Sequence, residues 1–219
     1  VASDAQMAEY SVQFVLNTSQ VTEDKGWYNN VITRIGNPAF TVTIDDTAYT
    51  APAEAYHQMA EKAEGEYCAF IEAGDVISEN LAEILTNGIT ICPGHNVYMI
   101  AKTFANETKG AFRNFLKVTD NKKELKPFYV IDLKNKYDCY PFTFAGTVLK
   151  TDILKKRNVN PSLGLEMERD FFLRYLAEEM KVVYLPGVEY TAYEYEEHDI
   201  TFYRGLYMKE WYFDSITEF

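Results

Sequence analysis

Polar and acidic side chains collect at three places in the first third of the chain, each directly after a short apolar run. Asn17, Thr18 and Ser19 follow Val12-Gln13-Phe14-Val15-Leu16, Asp45 and Asp46 follow Phe40-Thr41-Val42-Thr43-Ile44, and Glu72 and Asp75 follow Tyr67-Cys68-Ala69-Phe70-Ile71. Runs rich in β-branched and aromatic residues, bounded by polar turn residues, read as strands. In an open α/β sheet, ligands bind outside the carboxyl ends of the strands. Three polar strand ends in succession therefore mark a candidate binding edge for a polar ligand. The plainer alternative is a set of turns, with Asp45 and Asp46 closing a strand and Ser78 capping the next helix.

Other chemistries find little support. Cys68, Cys92 and Cys139 are widely spaced without a CxxC pair, so neither a zinc site nor a disulfide framework is indicated. Cys68 and Cys92 sit within apolar runs, where a free thiol behaves as a small hydrophobe, which fits a reducing, cytoplasmic compartment. His57, His95 and His198 lack any HxH or HExxH context. No GxGxxG, GxxxxGK[ST] or GxSxG occurs. Lys109, Arg113, Lys117, Lys122, Lys123 and Lys126 form a local basic excess, read as a solvated face or as an acceptor or phosphate contact.

The elements that would carry the edge alternate between strand and helix. Residues 10–16 read as a strand, 27–35 as a helix stopped by Gly36-Asn37-Pro38, and 40–44 as a second strand. A helix follows over 52–64, with Pro52 in its first turn, Ala55, Met59 and Ala63 on one face, and Gly65 beyond its end. Residues 67–71 read as the third strand, and a helix capped by Ser78 is expected to reach about Thr86, with Gly88 past its end. Such repetition implies parallel βαβ crossovers and an open α/β sheet. Further on, residues 128–131, 142–149 and 182–185 read as strands, the last closed by Pro186-Gly187. A short helix starts at Thr151, and an amphipathic one over 168–179 presents Phe171, Phe172, Tyr175 and Leu176.

Composition bounds the rest. The chain has 219 residues, 47% of them hydrophobic and 25% charged, and its 17 Tyr, 14 Phe and 2 Trp require a sizeable core. A net charge of −12 disfavours a nucleic-acid partner, because phosphate backbones are held by Lys and Arg patches. No stretch approaches the roughly 20 apolar residues of a membrane span. Residues 1–9 read as a leader or expression remnant, 10–190 as one α/β domain, and 191–219 as an aromatic-rich segment that packs on the domain or leads into further domains of a longer chain.

Four segments in order resemble the inverting GT-A glycosyltransferases of family 2. Phe40 and the following "TVTIDDT" are similar to their second strand. "AEGEYCAFIEAGD", ending at Asp75, resembles their "A-x-G-[DE]-Y-[IVL]-x-F-[IL]-D-[AS]-D-D". "GTVLKTDIL" from Gly146 is similar to their acceptor-side segment, and "LEMERDFFLRYLAEEMKVVYLP" from Leu165 resembles their "GEDWDLWLRLLEKGYKIVYLP". The resemblance implies a GT-A, Rossmann-like α/β fold: a mixed, mainly parallel sheet flanked by helices. It implies transfer, with inversion, of a sugar from a nucleotide-diphosphate-sugar donor (a UDP-sugar among others) to a glycan or cell-surface polymer acceptor. A cytoplasmic enzyme, with peripheral association at the inner face of the membrane as a further option, would fit that chemistry.

Carried residue by residue, the resemblance assigns base and ribose contacts to Asn17, Thr18, Ser19, Asp45 and Asp46. Glu72 and Asp75 become ligands of a divalent cation, Mn²⁺ or Mg²⁺, which is held by one or two carboxylates plus phosphate oxygens. Aligned back from Pro186, the family's "E-D" pair falls on Met167 and Glu168, so Glu168 takes the place of the general base, with Glu166 and Asp170 as its neighbours in register. The chain departs from the pattern where Gly74 replaces an acid of "D-A-D-D", where Met167 replaces the first acid of "E-D", and in "FVLNTS", which lacks the Pro and Tyr of the usual first-strand turn. A binding module that holds nucleotide or glycan without catalysis is the rival reading.

Overall fold

The computed structural model describes residues 12–17, 33–45, 47, 49, 52–72, 75–105, 127–132, 144–176 and 181–193. In chain order the elements are β1 (Val12–Asn17), β2 (Phe40–Asp45), α1 (Pro52–Lys62), β3 (Tyr67–Glu72), β4 (Val76–Ile77), α2 (Leu81–Ile91) and β5 (Val97–Ala105). They continue with β6 (Tyr129–Asp132), β7 (Thr147–Lys150), α3 (Thr151–Arg157), a 3₁₀ turn (Pro161–Glu166), α4 (Met167–Leu176) and β8 (Lys181–Tyr193). Of the helix expected over 27–35, only Thr33, Arg34 and Ile35 fall among the described residues, and they are helical.

The strands form an eight-stranded sheet ordered β2-β1-β3-β7-β5-β8-β4, with β6 also pairing with β8. β1 runs parallel to β2 and β3, and β5 parallel to β8. β7 is antiparallel to both β3 and β5, and β4 and β6 are antiparallel to β8. The sheet is thus mixed, with β1, β2, β3, β5 and β8 sharing one direction.

Both faces are covered, which explains why the strands read as almost continuous apolar runs. Alternate residues enter opposite cores. Cys68, Phe70, Val97, Met99, Leu149, Val182 and Tyr184 join α1, α3 and α4 in one cluster. Tyr67, Ala69, Ile71, Tyr98, Ile100, Val148, Val183 and Leu185 join Ile35 and α2 in the other. The first cluster centres on Phe144, whose ring lies 5.0–5.2 Å from those of Tyr56, Phe70, Phe171 and Phe172. Cys68 is buried there, and desolvation pushes its thiol up to about 12, so it is inert.

Three boundaries differ from the sequence reading. α2 starts at Leu81, with Asn80 rather than Ser78 at its cap position, and runs through Gly88 to Ile91. A Cβ on Gly88 would lie 2.7 Å from Leu185 Cδ2, so this glycine lets the helix approach β8 instead of ending the helix. β7 is shorter than the apolar run over 142–149, because Phe144, Ala145 and Gly146 form a turn in which Gly146 has φ +66°, while residues 142–143 lie outside the described residues. Finally, β8 does not close at Pro186-Gly187. Its pairing with β5 passes from Leu185 opposite Ile100 to Glu189 opposite Ala101. Proline has no N–H for the ladder, so Pro186, Gly187 and Val188 bulge out and the strand resumes. The tail expected beyond residue 190 lies outside the described residues from 194 onward.

Candidate functional site

Parallel pairing sets three of the expected site residues in one row. Asn17 is level with Asp45 on one side and with Glu72 on the other, each the last residue of its strand. Strands about 4.8 Å apart place the row across roughly 10 Å of sheet edge. Thr18, Ser19, Asp46 and Gly74 lie outside the described residues, and Asn17 and Glu72 are placed here by their backbone alone.

Antiparallel β7 extends the row. Tyr67, Cys68 and Ala69 of β3 pair with Lys150, Leu149 and Val148, so the turn formed by Phe144, Ala145 and Gly146 emerges beside the carboxyl end of β3. The turn is held by the Thr147 N–H on the Phe144 carbonyl at 3.0 Å and the Ile100 N–H on the Gly146 carbonyl at 2.9 Å. Glu168, in the first turn of α4, is only 2% exposed. Its Oε1 accepts the Phe144 N–H at 2.8 Å. A residue almost a hundred positions away in sequence is thereby brought to the edge where β1, β2 and β3 end.

Its neighbour Asp170 has another task. The Arg174 guanidinium bonds Asp170 Oδ2 through Nε at 2.9 Å and Nη2 at 2.7 Å, and also donates to the carbonyls of Arg157 at 2.6 Å and Asn158 at 3.1 Å. Arg174 thus satisfies carbonyls at the end of α3 that the helix itself leaves unpaired. His57 is equally structural, with Nδ1 2.8 Å from the Val159 carbonyl, which ties α1 to the loop after α3.

Asp45 is the most fully described acid of the edge. It is 6% exposed, and its Oδ1 accepts the Thr47 N–H at 3.1 Å. Its Oδ2 accepts the Tyr49 hydroxyl at 2.6 Å and Lys62 Nζ at 3.0 Å. Burial opposes the charged form, but the hydrogen bonds from Tyr49, Thr47 and Lys62 outweigh it and hold the carboxyl at about 2. The partners respond: burial and then Asp45 raise the Tyr49 phenol, while the hydrogen bonds that Lys62 donates to Asp45 and Tyr49 raise the lysine. Sequence reasoning missed Tyr49 and Lys62, since nothing in a lysine at the end of a helix signals an acid 17 positions earlier.

Asp75 is 2% exposed and directly precedes β4, which pairs with β8 at Thr191 and Tyr190. Among the described residues, no group of three or more His, Cys, Asp or Glu is placed to hold a metal ion. Carboxylates such as Asp75 are the hard oxygen donors that Mg²⁺ or Mn²⁺ takes together with phosphate oxygens, and Glu72 is placed by its backbone alone. A separate groove of about 460 Å³ runs between residues 33–38 and α2, lined among others by Arg34, Glu79 and Glu83. Arg34 already spends a donor on the Ile77 carbonyl at 2.6 Å, and the groove contains none of the edge residues.

The fold is similar to that of solved structures. S. aureus TarS 1-349 in complex with UDP-GlcNAc is similar with a TM-score of 0.57 and 13% identity, over 87% of this chain and 60% of that one. The same protein in complex with UDP is similar with a TM-score of 0.56 and 13% identity, over 90% and 64%. A mycobacterial protein is similar with a TM-score of 0.51 and 10% identity, over 83% and 67%. The fold is GT-A. The chain spans about three fifths of the TarS 1-349 structures it matches. No protein-family profile matches this GT-A chain, and no curated protein matches it by sequence. Among its described residues, no helix is long and apolar enough to cross a membrane.

Proposed function

We propose that this GT-A domain transfers a sugar, with inversion, from a nucleotide-diphosphate-sugar donor to a glycan or cell-surface polymer acceptor. The observation that carries the reading is the single edge on which Asp45, Asn17, Glu72 and the Glu168-bound turn stand side by side. A UDP-sugar is the donor favoured, because TarS, which shares the fold, was solved with UDP-GlcNAc and with UDP.

In this reading the nucleoside lies over the ends of β1 and β2, against Asn17, Thr18, Ser19 and Asp46, while Asp45 is engaged by Thr47, Tyr49 and Lys62. Glu72 and Asp75 would hold a divalent cation, Mn²⁺ or Mg²⁺, which would supply charge neutralisation for the departing diphosphate. The acceptor hydroxyl oxygen bonds to the anomeric carbon as the bond from that carbon to the diphosphate oxygen breaks. Glu168 takes the hydroxyl proton, and the nucleoside diphosphate leaves with the electron pair. The Phe144 N–H orients the Glu168 carboxylate for this work. Asp170 is the weaker candidate, because Arg174 engages it. A cytoplasmic location, with the acceptor presented at the inner membrane face, belongs to the same reading.

One observation favours the rival, a GT-A module that binds without catalysis. Met167, aligned with the first acid of the "E-D" pair, is 1% exposed and belongs to the Phe144 core cluster. Calorimetric titration of UDP, UDP-glucose, GDP and CDP, each with and without Mn²⁺, tests both. Metal-dependent binding that disappears in Asp75→Ala, with UDP released when acceptor is supplied, supports the transferase. Binding without turnover supports the module, and no nucleotide binding at millimolar concentration overturns the transferase and leaves the module as a glycan binder.

A further inference from the structure

We propose that Lys62 is a recognition residue for the nucleobase, donating a hydrogen bond to a ring carbonyl of the bound nucleoside diphosphate; the inference rests on the nucleotide-sugar reading above. The resemblance assigns the ligand contacts at the end of β2 to Asp45 and Asp46, of which Asp45 is described. The structure shows that acid turned to its own chain, with Oδ1 on Thr47 and Oδ2 shared by Tyr49 and Lys62. Only 5% of the Asp45 side chain is exposed, against 51% for Lys62. Among the described residues at the end of β2, the charged group open to solvent is thus the Lys62 ammonium, a donor, and the group it selects is an acceptor.

The lysine is held for this purpose. Its Nζ lies 3.0 Å from Asp45 Oδ2 and 3.3 Å from the Tyr49 hydroxyl, contacts that use two of the three ammonium N–H groups. A long lysine side chain ordinarily loses much rotamer freedom on binding a ligand. Here Asp45 and Tyr49 impose that cost during folding, which makes them positioning residues. Both raise the proton affinity of the ammonium, so it stays charged.

Spacing decides which part of the ligand meets Lys62. Asp45 stands two strands from Glu72, about 10 Å along the edge. A diphosphate beside Glu72 and Asp75 puts the nucleoside, rather than a second phosphate group, at the end of β2. Uracil offers two ring carbonyls as acceptors.

The test titrates UDP and, separately, pyrophosphate into the full chain and into Lys62→Met and Lys62→Arg, with melting temperatures recorded for each. The expected result is UDP affinity about tenfold to a hundredfold weaker in Lys62→Met, the range for a hydrogen bond from a charged donor. Pyrophosphate affinity stays unchanged, and Lys62→Arg recovers most of the UDP binding. Lys62→Gln, read in the same way, serves if the methionine variant loses its fold. Equal UDP binding by wild type and Lys62→Met overturns the inference alone, as does an equal loss for pyrophosphate, which would mark a general field effect. A wild-type chain that binds neither ligand overturns the nucleotide-sugar reading and this inference with it.

Discussion

The carboxylate of Glu168 accepts the backbone N–H of Phe144 at 2.8 Å, and both residues are at most 2% exposed. The bond joins the first turn of α4 to the turn before β7, so one acid fixes a loop beside the carboxyl end of β3 and is also the proposed base. A buried N–H without a partner costs about 1–3 kcal/mol, which lets the two roles be separated.

Glu168→Gln keeps an acceptor oxygen for Phe144, whereas Glu168→Ala removes it. The expected outcome is a near wild-type melting temperature for Glu168→Gln and a loss of about 1–3 kcal/mol for Glu168→Ala in denaturant unfolding. If Glu168 is the base, Glu168→Gln also lowers kcat by about 10² to 10⁴. A glutamine variant with full kcat removes Glu168 from that role.

Acid should loosen the end of β2 in a defined window. The Asp45 carboxyl is held at about 2, below its ordinary value of 3.8, so the folded state binds protons less readily than the unfolded one. Its contribution is complete above that ordinary value and is lost as pH falls towards about 2. Melting temperatures of wild type and Asp45→Asn should therefore differ at neutral pH and converge in strong acid. High salt should narrow the gap only partly, since Lys62 is half exposed but Asp45 is buried.

Gly88→Ala should destabilise although alanine is the better helix former. The gain in propensity is about 1 kcal/mol, but the new Cβ would lie 2.7 Å from Cδ2 of the fully buried Leu185. Overpacking of this kind costs about 1–3 kcal/mol, so a net loss of about 1 kcal/mol is expected. Gly88→Ala combined with Leu185→Val should be more stable than the sum of the two single changes. Additive losses would show that the contact does not limit the approach of α2 to β8.

The polar ends of the first three strands were legible because strand, turn and helix signals are local. Asn17, Asp45 and Glu72 each follow a run whose β-branched and aromatic residues settle its conformation within six positions. The α/β class followed from their alternation with helical segments, and four short motifs pointed to the GT-A fold before any coordinates. The glycine at 88 misled for the opposite reason. Read locally it ends a helix, yet its requirement comes from Leu185, a contact almost a hundred residues away.

Long-range placement was the part that only the tertiary structure decided. The strand order sets β7 antiparallel beside β3, and that alone brings Phe144, and through it Glu168, to the edge occupied by Glu72. The tertiary structure also sets Asp45 against Tyr49 and against Lys62 of α1, which share one of its oxygens. Residue types and spacing along the chain state which groups can do chemistry. Which of them meet depends on sheet register and on helices crossing the sheet, both set by packing summed over the two cores and by no short stretch of sequence.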